Sequence, residues 1–254
     1  MYTIVITNDD GIEAQGIHRL AISLAGLAKV VVVAPDQERS AEGHRITVRE
    51  GLTVRQVDFH GTGLDAWAVN GTPADCIKMA VNVILAEKPD LVISGINAGL
   101  NMGKDIYYSG TVSAAREAVI NGVPAIAVSY DNYLYPGDFG EVEKLLRPIW
   151  EEISIHSIPL DVLLNVNVPH LRINKLKGTA ITGLDIHHYQ DRIKEKQGKA
   201  GAEFWLEREY GEAQGVLNDY SMVKDGFISV TPIHIDSTDR EFMKEMKSWH
   251  LFRK

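Results

Sequence analysis

The sequence has only one cysteine, Cys76, in 254 residues. An internal disulfide is therefore excluded, which fits a reducing compartment. Because Cys76 falls in a helical pattern, we expect a small core residue and not a nucleophile. No apolar run approaches the roughly 20 residues that span a bilayer, and Asp9 and Asp10 come too early for a signal peptide. We expect a soluble, cytoplasmic protein without membrane contacts.

Positive charge is also scarce. The chain has 26 Lys and Arg against 34 Asp and Glu, which gives a formal net charge of -8. A nucleic-acid-binding surface needs clustered Lys and Arg to neutralise phosphates, so we expect no nucleic-acid partner. A small anionic substrate is compatible with this charge, because a bound cation can reverse the local potential.

Strand and helix patterns alternate over the first two thirds of the chain. Apolar, β-branched runs predict strands at 2–7, 29–34, 90–95, 125–129 and 162–168. Helical periodicity predicts helices at about 15–26, 73–86, 111–121 and 139–155. The helix near 73 has a clear start, with Thr72 placed to cap and Pro73 at the first helical position. This alternation predicts an α/β fold, a Rossmann-like, mostly parallel sheet with helices on both faces.

Two regions depart from this alternation. Short apolar runs at 46–48, 52–57 and 66–69 predict a hairpin-like addition to the sheet. Beyond residue 170 a strand returns at 226–231, and a final helix begins near Thr238, which forms a capping-box pattern with Glu241. We therefore expect one α/β domain over 1–254, with a core at about 1–170 plus 226–235, an extension at about 171–225 and a C-terminal helical arm at about 236–254.

Residues 170–199 are rich in Lys, Arg and His. A basic run could attract anionic substrates, but it more commonly forms a solvated face or a subunit contact, and we favour that interpretation. His187 and His188 would point to opposite faces of a strand, so they make a poor chelating pair.

Two adjacent carboxylates, Asp9 and Asp10, follow the first predicted strand. In a parallel sheet the end of such a strand faces the crevice where ligands bind. Burial and mutual repulsion would force one carboxyl group towards protonation, whereas a hard divalent cation accepts both as ligands. The alternative is a solvated acidic turn, since Asp and Gly are common turn residues.

Polar loops follow two other strands. One loop, 35–44, contains Ser40, and the other, 95–103, contains Asn97. Parallel strands deliver such loops to the same sheet edge, so these side chains can converge with Asp9 and Asp10. Carboxylate, hydroxyl and amide oxygens suit Mg²⁺ or Mn²⁺, and the sequence lacks the Cys and His clusters of structural zinc sites.

Ser109, Gly110 and Thr111 precede the helix predicted at 111–121. Hydroxyls and backbone N–H groups at a helix start can hold a phosphate, because the helix dipole concentrates positive potential there. The alternative is that Ser109 or Thr111 only caps the helix.

Five segments in sequence order resemble the signature motifs of the SurE family, the stationary-phase survival proteins. They are Asn8-Asp9-Asp10-Gly11, Pro35-Asp36-Gln37-Glu38-Arg39-Ser40, Gly71-Thr72-Pro73-Ala74-Asp75-Cys76, Ser94-Gly95-Ile96-Asn97-Ala98-Gly99-Leu100-Asn101-Met102-Gly103 and Tyr108-Ser109-Gly110-Thr111-Val112. The segment Thr231-Pro232-Ile233-His234 resembles a further family motif.

This resemblance implies a metal-dependent 5′-nucleotidase, an acid-type phosphatase that hydrolyses nucleoside 5′-monophosphates, with 3′-monophosphates and short polyphosphate as further candidate substrates. It implies one divalent ion per subunit, Mg²⁺ or Mn²⁺, with its ligands at Asp9, Asp10, Ser40 and Asn97. It further implies a projecting hairpin and a C-terminal arm exchanged in a homodimer or homotetramer.

The residues and the resemblance together give a hypothesis for the chemistry. Asp9, Asp10 and Asn97 are the catalytic candidates, and Asn97, Ser109, Gly110 and Thr111 are the phosphate-binding candidates. The nucleophile is either water or one of the aspartates.

Two other functions are considered. A phosphoacceptor signalling domain also pairs acids after its first strand, but it needs a phosphorylatable Asp after a third parallel strand, for which Asp58 is the only candidate, and a late Lys that the sequence does not offer. A dinucleotide-binding oxidoreductase needs a Gly-rich turn where Asp9 and Asp10 stand.

Overall fold

A nine-stranded sheet runs through the centre of the computed structural model, which describes residues 2–132, 138–139, 142–187, 189–198, 201–211 and 217–249. The strands are β1 (Thr3–Thr7), β2 (Lys29–Pro35), β3 (Val54–Gln56), β4 (Asp65–Val69), β5 (Leu91–Ala98), β6 (Ala125–Tyr130), β7 (Val162–Val168), β8 (Thr179–Ile181), β9 (Tyr189–Gly198), β10 (Gly201–Tyr210) and β11 (Ile228–His234). Their order in the sheet is β3-β4-β2-β1-β5-β6-β7-β11-β8, and β9 and β10 form a separate hairpin. All pairings in the large sheet are parallel except β3 with β4 and β7 with β11. The predicted α/β fold is confirmed.

Helices cover both faces of the sheet. They are α1 (Gln15–Leu24), α2 (Pro73–Met79), α3 (Gly110–Ile120), α4 (Val142–Ile155), α5 (Asp219–Lys224) and α6 (Arg240–Met246). Successive strand residues point to opposite faces, so Ile4 and Ile6 lie in the core beneath α1 and α4, whereas Val5 lies in the core beneath α2 and α3. Cys76 is fully buried in this second core, as predicted.

The start of α2 matches its sequence prediction, but its end does not. The Thr72 hydroxyl accepts a hydrogen bond from the Asp75 backbone N–H (3.2 Å), and the Asp75 carboxylate accepts one from the Thr72 N–H (3.0 Å), which completes a capping box. The regular helix ends at Met79 and a π-helical turn follows at Ala80–Ile84. The predicted helix at 139–155 begins at Val142 in the structure.

The hairpin-like addition predicted between 44 and 70 is the antiparallel pair of β3 and β4 at the sheet edge. Residues 46–48 are not a strand, although the sequence predicts one. The Thr47 backbone N–H and hydroxyl instead donate to the Asp75 carboxylate (3.0 and 2.7 Å), and Val48 is 76% exposed. Side-chain contacts therefore replace strand pairing in this segment.

The β9–β10 pair is the projecting hairpin that the family resemblance implies. Periodicity did not predict its strands, because its charged residues hide the alternation that marks a half-buried strand. Across the hairpin, Arg192 pairs with Glu209 (2.6 Å) and Lys194 with Glu207 (3.2 Å). These pairs agree with a solvated face for this part of the basic segment. His187 lies in the turn before β9, whereas His188 and Lys199 lie outside the described residues.

The C-terminal helix α6 is capped one residue later than predicted. The side chain of Asp239, and not that of Thr238, accepts the hydrogen bond from the Phe242 N–H (2.8 Å), because a carboxylate is a strong acceptor at a helix start. The arm is described as far as residue 249, and the division of the chain into core, extension and arm stays a prediction. Among the described residues, no helix combines the length and apolarity needed to cross a membrane.

Candidate active site

The loops that follow β1, β2 and β5 meet at one edge of the sheet. Arg39, in the loop after β2, donates its backbone N–H to the Asp9 carbonyl (2.7 Å). Ala98, at the end of β5, directs its backbone N–H towards the Asp10 carboxylate (3.4 Å). The convergence predicted for these three loops is therefore present in the structure.

The Asp9 side chain is buried against the start of α3. It is 5% exposed, and its carboxylate accepts a hydrogen bond from the Thr111 hydroxyl. Burial raises the pKa of Asp9, and the Thr111 hydroxyl and the nearby backbone N–H groups of Gly110 and Thr111 only oppose the shift. The positive end of the α3 dipole therefore interacts directly with the Asp9 carboxylate.

The predicted phosphate-binding residues are already engaged at this helix start. Ser109 is the N-cap, and its hydroxyl oxygen accepts from the Val112 N–H (3.1 Å). Thr111 is fully buried and its hydroxyl is turned to Asp9. Ser109 thus has the capping role considered as an alternative, and its own hydroxyl proton is still available to a ligand.

Asp10 lies in an environment of like charge. Burial, Asp9 and Glu38 raise the pKa of Asp10 to about 7, and only the hydrogen bond from Ala98 lowers it. Each charged group that shifts this pKa is acidic. The pair therefore holds negative charge that a cation would neutralise.

Ser40 lies in the loop after β2, and Asn97 lies near the end of β5, the two segments that contact this pair. The Ser40 hydroxyl donates to the Glu38 carboxylate (2.8 Å), and the Asn97 side-chain N–H donates to the Gly99 carbonyl (2.7 Å). Between Ser94 and Asn97 the pairing of β5 with β6 shifts register, an irregularity that re-aims side chains at the end of a strand. The sequence analysis did not select Glu38, and its only signal was its place two residues before Ser40.

A buried amide cluster secures the loop after β5. Asn101 donates its backbone N–H to the Asn167 side chain (2.9 Å) and its side-chain N–H to the Ser129 hydroxyl (2.8 Å). Asn165 and Asn167 both donate to the Asn101 carbonyl (2.8 and 3.0 Å). Sequence reasoning missed this cluster, although two Asn residues in the otherwise apolar β7 were a signal for it.

The comparisons with known proteins agree with this arrangement. The family model described as Survival protein SurE matches residues 4–191, well over half of the chain. The chain belongs to the SurE family. The resemblance predicted from the five motifs is thereby confirmed.

Individual SurE proteins are similar over nearly the whole chain. A protein of Brevibacillus brevis named 5′-nucleotidase SurE is 45% identical over 260 residues, covering 98% of this chain and 97% of the relative. A protein of Heliobacterium modesticaldum with the same name is 44% identical, covering 97% of this chain and 91% of the relative. The crystal structure of the SurE protein from Aquifex aeolicus superposes with a TM-score of 0.85 at 40% identity, covering 96% of this chain and 98% of that one.

The residues at this SurE site fit a divalent cation. Burial raises the pKa values of both Asp9 and Asp10, and the neighbouring acids Asp9 and Glu38 raise that of Asp10 further. Carboxylate oxygens of this kind suit hard cations. Among the described residues, no three His, Cys, Asp or Glu side chains are grouped to hold a metal ion. A site here must therefore complete its ligand set with groups such as the Ser40 hydroxyl and the Asn97 amide.

Proposed function

We propose that this chain is a metal-dependent 5′-nucleotidase that hydrolyses nucleoside 5′-monophosphates to nucleoside and inorganic phosphate. The carrying observation is the adjacent pair Asp9 and Asp10 at the sheet edge, where the buried Asp9 carboxylate contacts the Thr111 hydroxyl at the start of α3 and the Ala98 N–H points towards the Asp10 carboxylate. Relatives at 44–45% identity that bear the name 5′-nucleotidase support the same activity. Nucleoside 3′-monophosphates and short polyphosphate are further candidate substrates.

In this proposal Asp9, Asp10, Ser40 and Asn97 hold one Mg²⁺ or Mn²⁺ ion per subunit. When bound, the cation would neutralise the two carboxylates and polarise the phosphate group. The Ser109 hydroxyl at the start of α3 and the Asn97 amide near the end of β5 would donate hydrogen bonds to phosphate oxygens. Thr111 and Gly110 contribute by fixing the Asp9 carboxylate through the contacts described above.

The Asp9 and Asp10 carboxylates differ in how tightly their surroundings hold them. Asp9 is buried and accepts a hydrogen bond from the Thr111 hydroxyl at the start of α3, whereas Asp10 is less buried and accepts one long contact from Ala98. If a carboxylate attacks phosphorus directly, Asp10 is therefore the better candidate, and Asp9 is the fixed member of the pair. In a single turnover, attack by Asp10 would release the nucleoside before phosphate, because the aspartyl-phosphate must first be hydrolysed by water, whereas direct attack by water would release both together.

Phosphate release from a panel of 5′- and 3′-mononucleotides and short polyphosphate tests the activity, with Mg²⁺, with Mn²⁺ and with EDTA. We expect turnover of 5′-mononucleotides that EDTA abolishes and that Asp9→Asn lacks. Asp58→Asn is a matched control, because Asp58 is exposed and its carboxylate accepts only a local hydrogen bond from Gly61 (3.1 Å) among the described residues. Equal turnover by wild type and Asp9→Asn would rule out the proposal.

The position of Asp58 in the fold argues against the phosphoacceptor alternative. Asp58 follows β3, which runs antiparallel to β4, so this strand ends away from the edge where β1, β2 and β5 end. The same Asp58→Asn control covers this alternative, because a phosphoacceptor would lose phosphate incorporation in that variant.

We further propose that the chain assembles as a homodimer or homotetramer. Large apolar side chains are exposed on β10, at Phe204 and Leu206, and on α6, at Phe242 and Met243. Burial of such side chains on a second copy would remove apolar surface from water. Light scattering on the purified protein tests this, and a monomeric mass at micromolar concentration would contradict it. The cytoplasmic location stays a prediction.

A further inference from the structure

The loop that carries Ser40, residues 36–48, is fastened to α3 by a side-chain contact outside the predicted site. The His44 Nε2 atom lies 2.9 Å from a carboxylate oxygen of Glu117. We propose that His44 is a positioning residue that, through Glu117, holds this Ser40 loop in place for cation binding. The inference rests on the proposed function, because Ser40 matters only if it is a ligand.

Through α3, this contact connects two parts of the candidate metal site, the Asp9 carboxylate and the Ser40 loop. Thr111 at the start of α3 binds Asp9, and Glu117 on the same helix binds His44 of the Ser40 loop. The Gly43 backbone N–H also donates to the Tyr108 carbonyl (3.0 Å), just before α3 begins. A rigid helix therefore sets the position of the loop relative to the Asp9 carboxylate.

Glu117 is a strong anchor because it is a buried anion. It is 3% exposed, and its carboxylate accepts hydrogen bonds from His44, Lys78 (2.6 Å) and Asn121 (2.8 Å). Burial alone would raise the pKa of Glu117, but these three contacts together lower it. Charge-assisted contacts to a buried carboxylate are stronger and better oriented than neutral ones. Loss of the His44 contact should therefore loosen the part of the loop between the backbone contact of Arg39 with Asp9 and the contacts of Thr47 with Asp75.

Lys78 provides a matched control. It contacts the same carboxylate as His44, but it comes from α2 and not from the Ser40 loop. Lys78→Ala thus removes one partner of Glu117 while the His44 contact remains. If any disturbance of Glu117 weakened the site, Lys78→Ala and a His44 variant would behave alike.

Two amide substitutions at His44 distinguish loss of the contact with Glu117 from loss of the histidine ring itself. In His44→Gln the side-chain N–H can reach about as far as Nε2 of histidine and can still donate to Glu117. In His44→Asn the side chain is one methylene shorter and loses the contact while staying polar. His44→Ala serves as a second loss variant if His44→Asn does not fold.

The test measures Mn²⁺ binding to the full-length protein without substrate, by the electron paramagnetic resonance signal of free Mn²⁺. Supporting residues behind metal ligands typically change metal affinity about 10–100-fold, so we expect His44→Asn to weaken Mn²⁺ binding by about tenfold or more. We expect His44→Gln and Lys78→Ala to bind Mn²⁺ as wild type does. Hydrogen exchange should show faster exchange of the Gly43 amide in His44→Asn only.

The outcomes separate this inference from the proposed function. A wild-type protein that binds no Mn²⁺ would overturn the metal-dependent function itself. A wild-type protein that binds Mn²⁺, with His44→Asn equally tight, would overturn only the positioning role of His44. An equal loss in Lys78→Ala and His44→Asn would also overturn it, because the loop would then not be the cause.

Discussion

Gly110 packs against the side chain of Asp9 so closely that a larger residue does not fit. A Cβ atom added at Gly110 would lie 2.7 Å from the Asp9 Cβ atom and 2.8 Å from its Oδ2 atom. The absence of a side chain lets the N–H groups at the start of α3 reach the Asp9 carboxylate. This glycine is therefore a requirement of the site and not only of the helix start.

Gly110→Ala should displace Asp9 and impair metal binding. We expect phosphate release to fall by about tenfold or more, as for other supports of metal ligands, and the free energy of unfolding to fall by about 1–3 kcal/mol from overpacking. Gly51→Ala is the control, because no atom lies within 4 Å of an added Cβ there. Phosphate release and urea unfolding of both variants check this, and equal behaviour of the two would contradict it.

Asp10→Asn should stabilise the metal-free protein above neutral pH. An isolated Asp titrates near pH ~3.9, whereas burial, Asp9 and Glu38 raise the pKa of Asp10 in the folded chain to about 7. The folded state thus binds this proton more tightly, so stability falls as the pH rises between these two values. Asparagine carries no charge and avoids this loss, which we expect to be about 1–3 kcal/mol.

Unfolding in urea at pH 4 and pH 8, each with EDTA, measures the effect of Asp10→Asn. The free energy of unfolding of Asp10→Asn should exceed that of wild type at pH 8 and differ little from it at pH 4. In excess Mn²⁺ at pH 8 the order should reverse, because ligand binding stabilises only a protein that retains its site. A variant less stable than wild type at pH 8 in EDTA would argue against repulsion within the pair.

Glu117→Gln should lower the free energy of unfolding at neutral pH and change how that free energy falls at acid pH. The contacts from His44, Lys78 and Asn121 lower the pKa of Glu117 against the effect of burial. A lowered pKa adds stability above the unfolded value of ~4.3, and this stability is lost as the pH falls through the folded pKa. We expect a loss of about 1–3 kcal/mol at pH 7, because Lys78 loses its charged partner.

The matched control for Glu117→Gln is Glu13→Gln. Glu13 also lies near a histidine, His60, at 3.7 Å, but its side chain is 75% exposed. Exposed ion pairs contribute only about 0–1 kcal/mol, so Glu13→Gln should unfold close to wild type. Urea unfolding from pH 3 to pH 7 compares the two, and the gap between Glu117→Gln and wild type should narrow at the acid end.

The sequence predicted the parts of the fold that local patterns determine. The central strands β1, β2, β5, β6 and β7 are continuous apolar runs, as expected of strands buried on both faces. The pair Asp9 and Asp10 was visible because it ends such a run. The prediction that Ser40 and Asn97 complete the site followed from the rule that parallel strands end at one edge.

Features that depend on distant contacts were not predictable in this way. His44 and Glu117 are 73 residues apart, and no periodicity relates them. Asn101 meets Asn165 and Asn167 only because β5 and β7 flank β6. The family resemblance implied a projecting hairpin, but periodicity did not predict β9 and β10, because composition alone does not distinguish their cross-strand pairs of charged residues from a solvated loop.

The base of the β9–β10 hairpin is tied to the segment that leads into α3. Asp105 accepts a hydrogen bond from the Tyr189 hydroxyl (2.5 Å) and pairs with Arg208 (3.0 Å). The Arg208 guanidinium also lies over the Tyr189 ring, 4.6 Å from its centre. Burial and the contact with Asp105 raise the pKa of Tyr189, so the phenol stays protonated and remains a donor.

Arg208→Ala should therefore loosen the segment that delivers Ser109 to the site. We expect a loss of about 1–2 kcal/mol, because an ion pair and a cation–π contact disappear together. Arg192→Ala is the control, since Arg192 pairs with Glu209 (2.6 Å) within the hairpin and both side chains are more than half exposed. Thermal unfolding and hydrogen exchange of residues 103–109 compare the variants. Faster exchange there in Arg208→Ala alone would link the hairpin to the site, whereas identical exchange in both variants would show that the hairpin base does not support it.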